Sequence, residues 1–320
     1  MEDLQFSIVI PLYNKEKYID RAIQSIINQT ITSWELIIVD DGSTDTSIKH
    51  VSKYTDQRIH LYKQKNQGPA VARNTGITHS KGQLVAFLDA DDVWEDNFLE
   101  TILELHYKFP DAGLYGTAYA MYDDNNNYLR SNQVKPELGN RILPSFFEET
   151  VSCGHTISNT SSSAVPRDIL VKVGMFRPDY RCGQELDLFG RIALYFPVAY
   201  SPTVCTRYTA SAGNNMDKAK YMRYVPTTRY LDSLSKEEQM KLLEIDGFKE
   251  YLDFYYLKIG MQNIYTGLRK EGREQLKMVN DSKYNLKKRL FTLVSYIPLP
   301  LSLVPSSFVR TVVNKLKMVG

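Results

Sequence analysis

The chain is poor in several features that announce a function class. It has three cysteines in 320 residues, Cys153, Cys182 and Cys205, with no CxxC spacing among them. That excludes a disulfide framework and a structural zinc site, and fits reduced thiols in a cytosolic protein. Lysine and arginine number 39 against 37 acids, a net charge of +2, which is too little for a nucleic-acid partner. The opening residues Met1-Glu2-Asp3-Leu4-Gln5 are polar and acidic, and the apolar run behind them stops at Pro11. This is not the pattern of a secretory leader, so the sequon Asn159-Thr160-Ser161 carries no weight. No GxGxxG follows the first apolar run and no Walker A motif occurs, which argues against a dinucleotide-dependent dehydrogenase and a P-loop nucleotidase. What is left, 43% hydrophobic and 24% charged residues, is an ordinary composition for a globular protein with a substantial core.

The first part of the chain alternates strands and helices. Short apolar runs at 6–10, 36–39, 59–62 and 84–88 read as strands. Between them Ile19, Ala22, Ile23, Ile26 and Ile27 stripe one helix, Ser43 or Thr44 is placed to cap a second, and Gly68-Pro69 opens a third. Phe98, Ile102 and Leu105 stripe the helix after the fourth strand. This βα rhythm predicts an α/β fold with a mainly parallel central sheet flanked by helices. After about Gly113 the pattern changes: 114–121 reads as a strand, Asp123-Asp124-Asn125-Asn126-Asn127 as a turn, and 158–163 as a run of small polar residues. From Asp217 onward the chain reads as helical, without internal repeats.

Three of the strands end in polar clusters. Leu84-Val85-Ala86-Phe87-Leu88 runs into Asp89-Ala90-Asp91-Asp92, three acids within four positions. Carboxylates packed that closely repel one another and are tolerable beside a cation, a divalent metal above all. The first strand ends in Pro11-Leu12-Tyr13-Asn14 and the second in Asp40-Asp41-Gly42-Ser43. In open parallel sheets ligands bind beyond the carboxyl ends of the strands, where the strand order reverses. With the order 3-2-1-4, all three tips face one crevice. Each then suits part of a sugar nucleotide: Tyr13 to stack on a base, Asp41 to accept the imide N–H of a uracil or thymine, Asp89 and Asp91 to hold a ribose hydroxyl and a metal bridging two phosphates. Arg73 adds a charge-assisted contact to the diphosphate or orients the acids.

Taken together, Ile8-Val9-Ile10-Pro11-Leu12-Tyr13-Asn14, Val39-Asp40-Asp41-Gly42-Ser43-Thr44-Asp45, Gly68-Pro69-Ala70-Val71-Ala72-Arg73-Asn74-Thr75-Gly76 and Phe87-Leu88-Asp89-Ala90-Asp91-Asp92 resemble the successive motifs of family-2 glycosyltransferases with the GT-A fold, bacterial cell-envelope enzymes in particular. The resemblance runs from Phe6 to about Ala193. It implies a nucleotide-sugar donor, Mg²⁺ or Mn²⁺, and inversion at the anomeric carbon. By the same resemblance Pro11, Tyr13 and Asp41 bind the base, with Asn14 and Arg73 also in the donor site. Asp89 contacts ribose or metal, and Asp91 is the main metal ligand. The family's base comes from a Glu-Asp pair opening an acceptor-side helix. Here that segment reads Gly183-Gln184-Glu185-Leu186-Asp187-Leu188-Phe189-Gly190-Arg191. The base position holds Glu185, Gln184 replaces the usual Glu, and Asp187 is the fallback base. His155 and the serines near Ser162 fall on the acceptor side without any Ser-His-Asp spacing.

This reading predicts a GT-A catalytic domain over 1–215, divided near 112 into a nucleotide-sugar half and an acceptor half, followed by a helical region over 216–320. Residues 290–309 hold no charge but are interrupted by Pro298, Pro300 and Pro305, with Lys283, Lys287, Lys288 and Arg289 before them, Arg310, Lys315 and Lys317 after them, and no acid beyond Asp281. Three prolines weaken a spanning helix. Basic flanks fit a segment, about 283–320, lying on the anionic cytoplasmic face of a membrane; packing on the catalytic domain is the alternative. The expected acceptor is lipid-linked or a growing surface polysaccharide. Two rivals remain at this stage. Leu88-Asp89-Ala90-Asp91-Asp92-Val93 also resembles the nucleophile motif of haloacid-dehalogenase-type phosphatases, with Asp89 as nucleophile. A glycosyltransferase-like fold with a decayed site, kept as a binding module, is the other.

Overall fold

A computed structural model describes residues 4–180, 182–210 and 225–296. The chain divides into two compact units, Met1–Asn215 and Met216–Gly320. In the first, the strands are β1 (Phe6–Leu12), β2 (Trp34–Asp40), β3 (Ile59–Lys63), β4 (Leu84–Phe87), β5 (Val93–Trp94), β6 (Leu114–Tyr122), β7 (Tyr128–Ser131), β8 (Arg141–Ile142), β9 (Ser163–Pro166) and β10 (Val198–Thr209). The helices between them are α1 (Ile19–Ile27), α2 (Ser47–Val51), α3 (Pro69–His79), α4 (Phe98–Lys108), α5 (Phe146–Cys153), α6 (Arg167–Val173) and α7 (Gln184–Ala193).

All ten strands join one sheet in the order β3-β2-β1-β4-β9-β6-β10-β5, with β7 on β6 and β8 on β10. The run β3-β2-β1-β4 is parallel, so the order reverses between β1 and β4 as the strand-tip argument requires. β1 and β2 are buried almost throughout and read as continuous apolar runs, as strands covered on both faces do. Ile19, Ile23 and Ile26 of α1 are fully buried against this sheet, each contributing roughly 1.5–3 kcal/mol. Pro11 sits inside β1 without disrupting it. The Val9 carbonyl accepts from Leu88 N on the β4 side, and two residues on Pro11 turns its missing N–H to that same side. The β1–β4 pairing has ended there, at Val9↔Phe87, so no ladder bond is lost.

The second half departs from the parallel pattern. The small polar stretch at 158–163 does not end in a loop: Ser163–Pro166 is a central strand, antiparallel to both β4 and β6. Its small residues admit this close insertion, with Ser163 and Ala164 fully buried. The expected cap at Ser43 or Thr44 is also displaced. The helix starts only at Ser47, because Ser43 and Thr44 are tied to Asn14 instead.

At the amino-terminal ends of β1 and β2, away from the strand tips, Ser7 and Glu35 form a buried polar knot. Ser7 Oγ donates to Glu35 Oε1 at 2.6 Å and accepts from Gly82 N at 2.8 Å, while Lys81 N donates to Glu35 Oε1 at 2.7 Å. This draws the turn before β4 hard against β1.

The second unit consists of helices α8 (Thr228–Asp232), α9 (Lys236–Leu243), α10 (Phe248–Tyr265), α11 (Arg269–Lys277) and α12 (Asn285–Val294). Leu257, Ile264, Leu276, Val279, Tyr284 and Phe291 form its core. The Asp253 carboxylate accepts from the backbone N–H groups of Asn280 and Asp281, fixing the turn between α11 and α12. Of the apolar tail, only residues up to 296 are described; the rest lies outside the described residues. Among the described residues no helix is long and apolar enough to cross a membrane.

The β1–β4 approach is testable at Gly82. A Cβ there falls 2.5 Å from the Phe6 carbonyl carbon and the Ser7 nitrogen, and backbone cannot yield as a flexible side chain does. Overpacking costs about 1–3 kcal/mol, so Gly82→Ala is expected to lower Tm by about 2–10 °C. Calorimetry giving an unchanged Tm would refute this close contact.

Candidate active site

The crevice beyond β1, β2 and β4 is built by loops that hold one another. Asn14, in the left-handed region at φ 51°, accepts with Oδ1 from Thr44 N at 2.8 Å and donates its own N–H to Ser43 Oγ at 3.1 Å. Asparagine tolerates this backbone geometry better than most residues. The β1 and β2 tips are thereby joined, and Asn14 is a strut between them. Tyr13, just before it, is left exposed at 37%, with its ring available for stacking. Asp41 is 3% exposed. Its carboxylate accepts from Gln64 Nε2, Gln67 N and Gly68 N at 2.8–2.9 Å, fastening the segment that leads into α3. A carboxylate has about four acceptor positions, and three are filled here.

The three acids after β4 have separate fates. Asp92 is 1% exposed and takes no part in a surface site. Its Oδ2 accepts from Ser161 Oγ at 2.5 Å and its Oδ1 from Thr209 N at 2.9 Å. Burial pushes its carboxyl well above the usual carboxylate range, and the Asp91 and Asp89 charges add to the shift. Ser161 also accepts from Asp89 N, so a single hydroxyl holds both ends of the acidic turn. Asp91 faces the other way, where Lys15 Nζ meets its Oδ2 at 2.6 Å. Burial raises the Asp91 carboxyl, Lys15 pulls it down and Asp89 pushes it up. The Asp91 carbonyl accepts from Arg21 and Thr209.

Arg73 is an interior residue at 6% exposure. Its guanidinium donates to Asp89 Oδ1 at 2.5 Å and to Gln184 Oε1 at 3.0 Å, and lies 5.4 Å from the Phe176 ring centre. Its Nε is buried with no partner among the described residues. Gln184 in turn donates to the Tyr180 carbonyl at 2.7 Å. The glutamine therefore reaches Arg73 through its amide oxygen, where a glutamate would have added a second negative charge.

Gly183, at φ 73°, precedes α7, and glycine alone adopts that backbone without strain. Glu185 in the first turn is half-buried. It stands near the Tyr119 hydroxyl, whose pKa is raised mainly by burial and further by Tyr208 and Glu185. Asp187 is fully buried and paired with Arg191 at 2.8 Å. Arg191 also donates to the Val173 and Met175 carbonyls. Burial and the Arg191 pair make Asp187 an anchor of α7.

His155 and the serines are likewise structural. His155 Nδ1 lies 3.0 Å from the Thr156 carbonyl, and Ser158, Ser162 and Ser163 form a buried hydrogen-bonded knot. Among the described residues no three of His, Cys, Asp or Glu converge on one point. Asp89 and Asp91 supply hard oxygen donors but too few for an all-protein cation cage. Such a pair fits Mg²⁺ or Mn²⁺ held jointly with substrate phosphates. Sequence patterns gave no role to Lys15 or Thr209, and did not tie Ser161 to the acidic turn. Lys15 carries a signal, a cation directly after the Asn14 motif, whereas Ser161 and Thr209 lie 69 and 117 residues from the acid they hold.

Comparison with known proteins agrees with this geometry. The family model "Glycosyl transferase family 2" matches residues 7–170. An uncharacterized glycosyltransferase of Nostoc sp. is 33% identical over 80% of this chain and 77% of its own length. The Escherichia coli UDP-Glc:alpha-D-GlcNAc-diphosphoundecaprenol beta-1,3-glucosyltransferase WfgD is 36% identical over 43% of this chain and 53% of that protein. The chain spans about half, or less, of the length of several curated relatives, such as 46% of an uncharacterized glycosyltransferase of Rickettsia felis. Among solved structures, S. aureus TarS 1-349 in complex with UDP-GlcNAc superposes with a TM-score of 0.68 at 18% identity, over 91% of this chain and 89% of that one, which establishes a shared fold. With its strand order, its paired acids after β4 and these matches, the chain belongs to glycosyl transferase family 2.

Proposed function

We propose that the protein transfers a sugar from a nucleotide-sugar donor, UDP- or dTDP-linked, to a hydroxyl of a lipid-linked or polysaccharide acceptor in cell-surface glycan synthesis. The observation that carries this reading is Arg73. One guanidinium joins Asp89, at the donor end, to Gln184, the neighbour of Glu185 at the start of α7. Donor acid and candidate base are therefore indexed to the same side chain.

In this reading Tyr13 stacks on the base, beside Pro11, and the remaining acceptor position of Asp41 takes its imide N–H. Asn14 holds the two loops that flank it. Asp89 lies toward the ribose and Asp91 toward the diphosphate. Mg²⁺ or Mn²⁺, when bound at Asp91 and Asp89, would supply neutralising charge for the departing nucleoside diphosphate. Glu185 takes the proton of the attacking hydroxyl, giving direct displacement with inversion. Two relatives support the donor and acceptor classes. The name of WfgD specifies a UDP-sugar and a diphosphoundecaprenol-linked acceptor, and TarS has been solved with UDP-GlcNAc. A phosphatase using Asp89 as nucleophile has no comparable support, since Arg73 already holds that carboxylate.

The C-terminal helices suit work at a membrane face. Around α12, Leu286, Leu293 and Tyr296 are exposed at 52%, 69% and 68%, beside Lys287, Lys288 and Arg289. Apolar side chains interleaved with cations favour peripheral binding to anionic lipid, on the cytoplasmic side where the nucleotide donors are made. Co-sedimentation with phosphatidylglycerol vesicles, but not with phosphatidylcholine vesicles, is the expected result; equal partition into both or neither rejects this contact.

Thermal-shift measurements with UDP-, GDP- and dTDP-sugars, with and without Mn²⁺, test the central reading. A UDP- or dTDP-sugar should raise Tm in a Mn²⁺-dependent manner, and stabilisation by none of the three sinks the proposal. Variants then separate the acids. Glu185→Gln should lower kcat by about 10²–10⁴-fold with donor affinity kept, and near-normal turnover would remove it as base. Asp91→Asn should abolish the Mn²⁺-dependent shift. Asp92→Asn should keep both the shift and the turnover, because Asn still offers Thr209 N an acceptor. The raised carboxyl of Asp92 stabilises the fold most in acid, and that contribution is lost as pH rises through its folded-state pKa. Asp92→Asn should accordingly be no less stable than the parent at neutral pH, and a large loss there would contradict its assignment.

A further inference from the structure

Lys15 follows directly on the Tyr13-Asn14 tip and is anchored at its backbone, where its N–H donates to Ser47 Oγ at 2.8 Å. Its Nζ donates to Asp91 Oδ2 at 2.6 Å, with both side chains largely covered, at 13% and 16% exposure. The neighbouring Asp89 has its own cation in Arg73. The two site acids therefore each carry a fixed positive partner before any ligand arrives. The partners differ in kind. Arg73 is a buried planar fork committed to Asp89 and Gln184. Lys15 is a point charge on a flexible stem at the mouth of the crevice.

A divalent ion and an ammonium cannot share Asp91 Oδ2, because like charges at contact distance repel with little water between them. A nucleoside diphosphate alters this balance, since its phosphate oxygens can take the ammonium while the metal takes the carboxylate. We propose that Lys15 is a positioning residue that occupies Asp91 as an internal counter-ion in the unloaded site and passes to the donor diphosphate when metal and nucleotide enter together. The inference rests on the nucleotide-sugar reading above. Its consequence is linkage: the metal alone binds weakly, nucleotide strengthens it, and metal strengthens nucleotide by the same factor.

Titration of the full chain with Mn²⁺, followed by the EPR signal of the free ion, tests this with and without UDP. In the parent protein UDP should tighten Mn²⁺ binding by about 5- to 150-fold. Lys15→Met should bind Mn²⁺ alone more tightly than the parent, bind UDP more weakly, and show a smaller UDP effect on Mn²⁺. Lys15→Arg, which keeps the charge, should resemble the parent and control for loss of fold. Mn²⁺ affinity without nucleotide that is equal or weaker in Lys15→Met, or an unchanged linkage factor, overturns the proposal. The underlying reading fails differently, if no nucleotide binds the parent with or without Mn²⁺. The comparison of Mn²⁺ alone between parent and Lys15→Met still reports whether Lys15 guards Asp91.

Discussion

The buried carboxylate of Asp92 is the constraint on which the rest of the site depends. A carboxyl group in a protein interior is costly unless its polar atoms are met, and here they are met by Ser161 Oγ and Thr209 N. Those partners come from the segment that becomes β9 and from the end of β10. The Ser161 carbonyl is also engaged, by the Trp94 indole and the Thr206 hydroxyl. The acidic turn is consequently clamped to both later strands of the sheet. Once Asp92 is turned inward, the tight turn closed by Asp92 N on the Asp89 carbonyl leaves the other two side chains to the crevice. One acid is spent so that the other two are placed.

Their placement is completed by cations from two other parts of the chain. Arg73 arrives from the third helix and Lys15 from the tip of the first strand. Repulsion between Asp89 and Asp91 would otherwise splay the turn, and the pairing removes it without a ligand. Arg73 does more than neutralise. By holding Gln184 it sets the start of α7 relative to β4, so Asp89 and the residue preceding Glu185 are joined through one rigid fork. A lysine in its place would offer no such fixed two-way geometry.

The parallel half of the fold was legible because each strand there is a continuous apolar run closed by a polar tip, and the order β3-β2-β1-β4 is the one under which those tips share a crevice. The antiparallel β9 was not legible. Its Ser163 and Ala164 are chosen for smallness, to pass between β4 and β6, and small residues carry no periodic signal. The same limit applied within the site. Tyr13, Asp41, Arg73, Asp89 and Asp91 stand in local motifs and could be singled out, whereas the burial that removes Asp92 from their number depends on residues far along the chain. The local motif singled out Asp89 and Asp91, and only the packing shows that Asp92 faces inward.

The opening of α7 poses the same problem with two acids, and the physics that resolves it is the same. Glu185 and Asp187 lie two positions apart, about 200° around a helix, so they cannot face one surface together. Asp187 meets Arg191 one turn on, and Arg191 reaches the Val173 and Met175 carbonyls at the end of α6. This buried pair binds α7 to the preceding helix and fixes its rotation about its own axis. With that rotation fixed, Glu185 is turned away from the α6 contact, toward the side where Tyr119 and Tyr208 lie. The helix is placed by its buried acid.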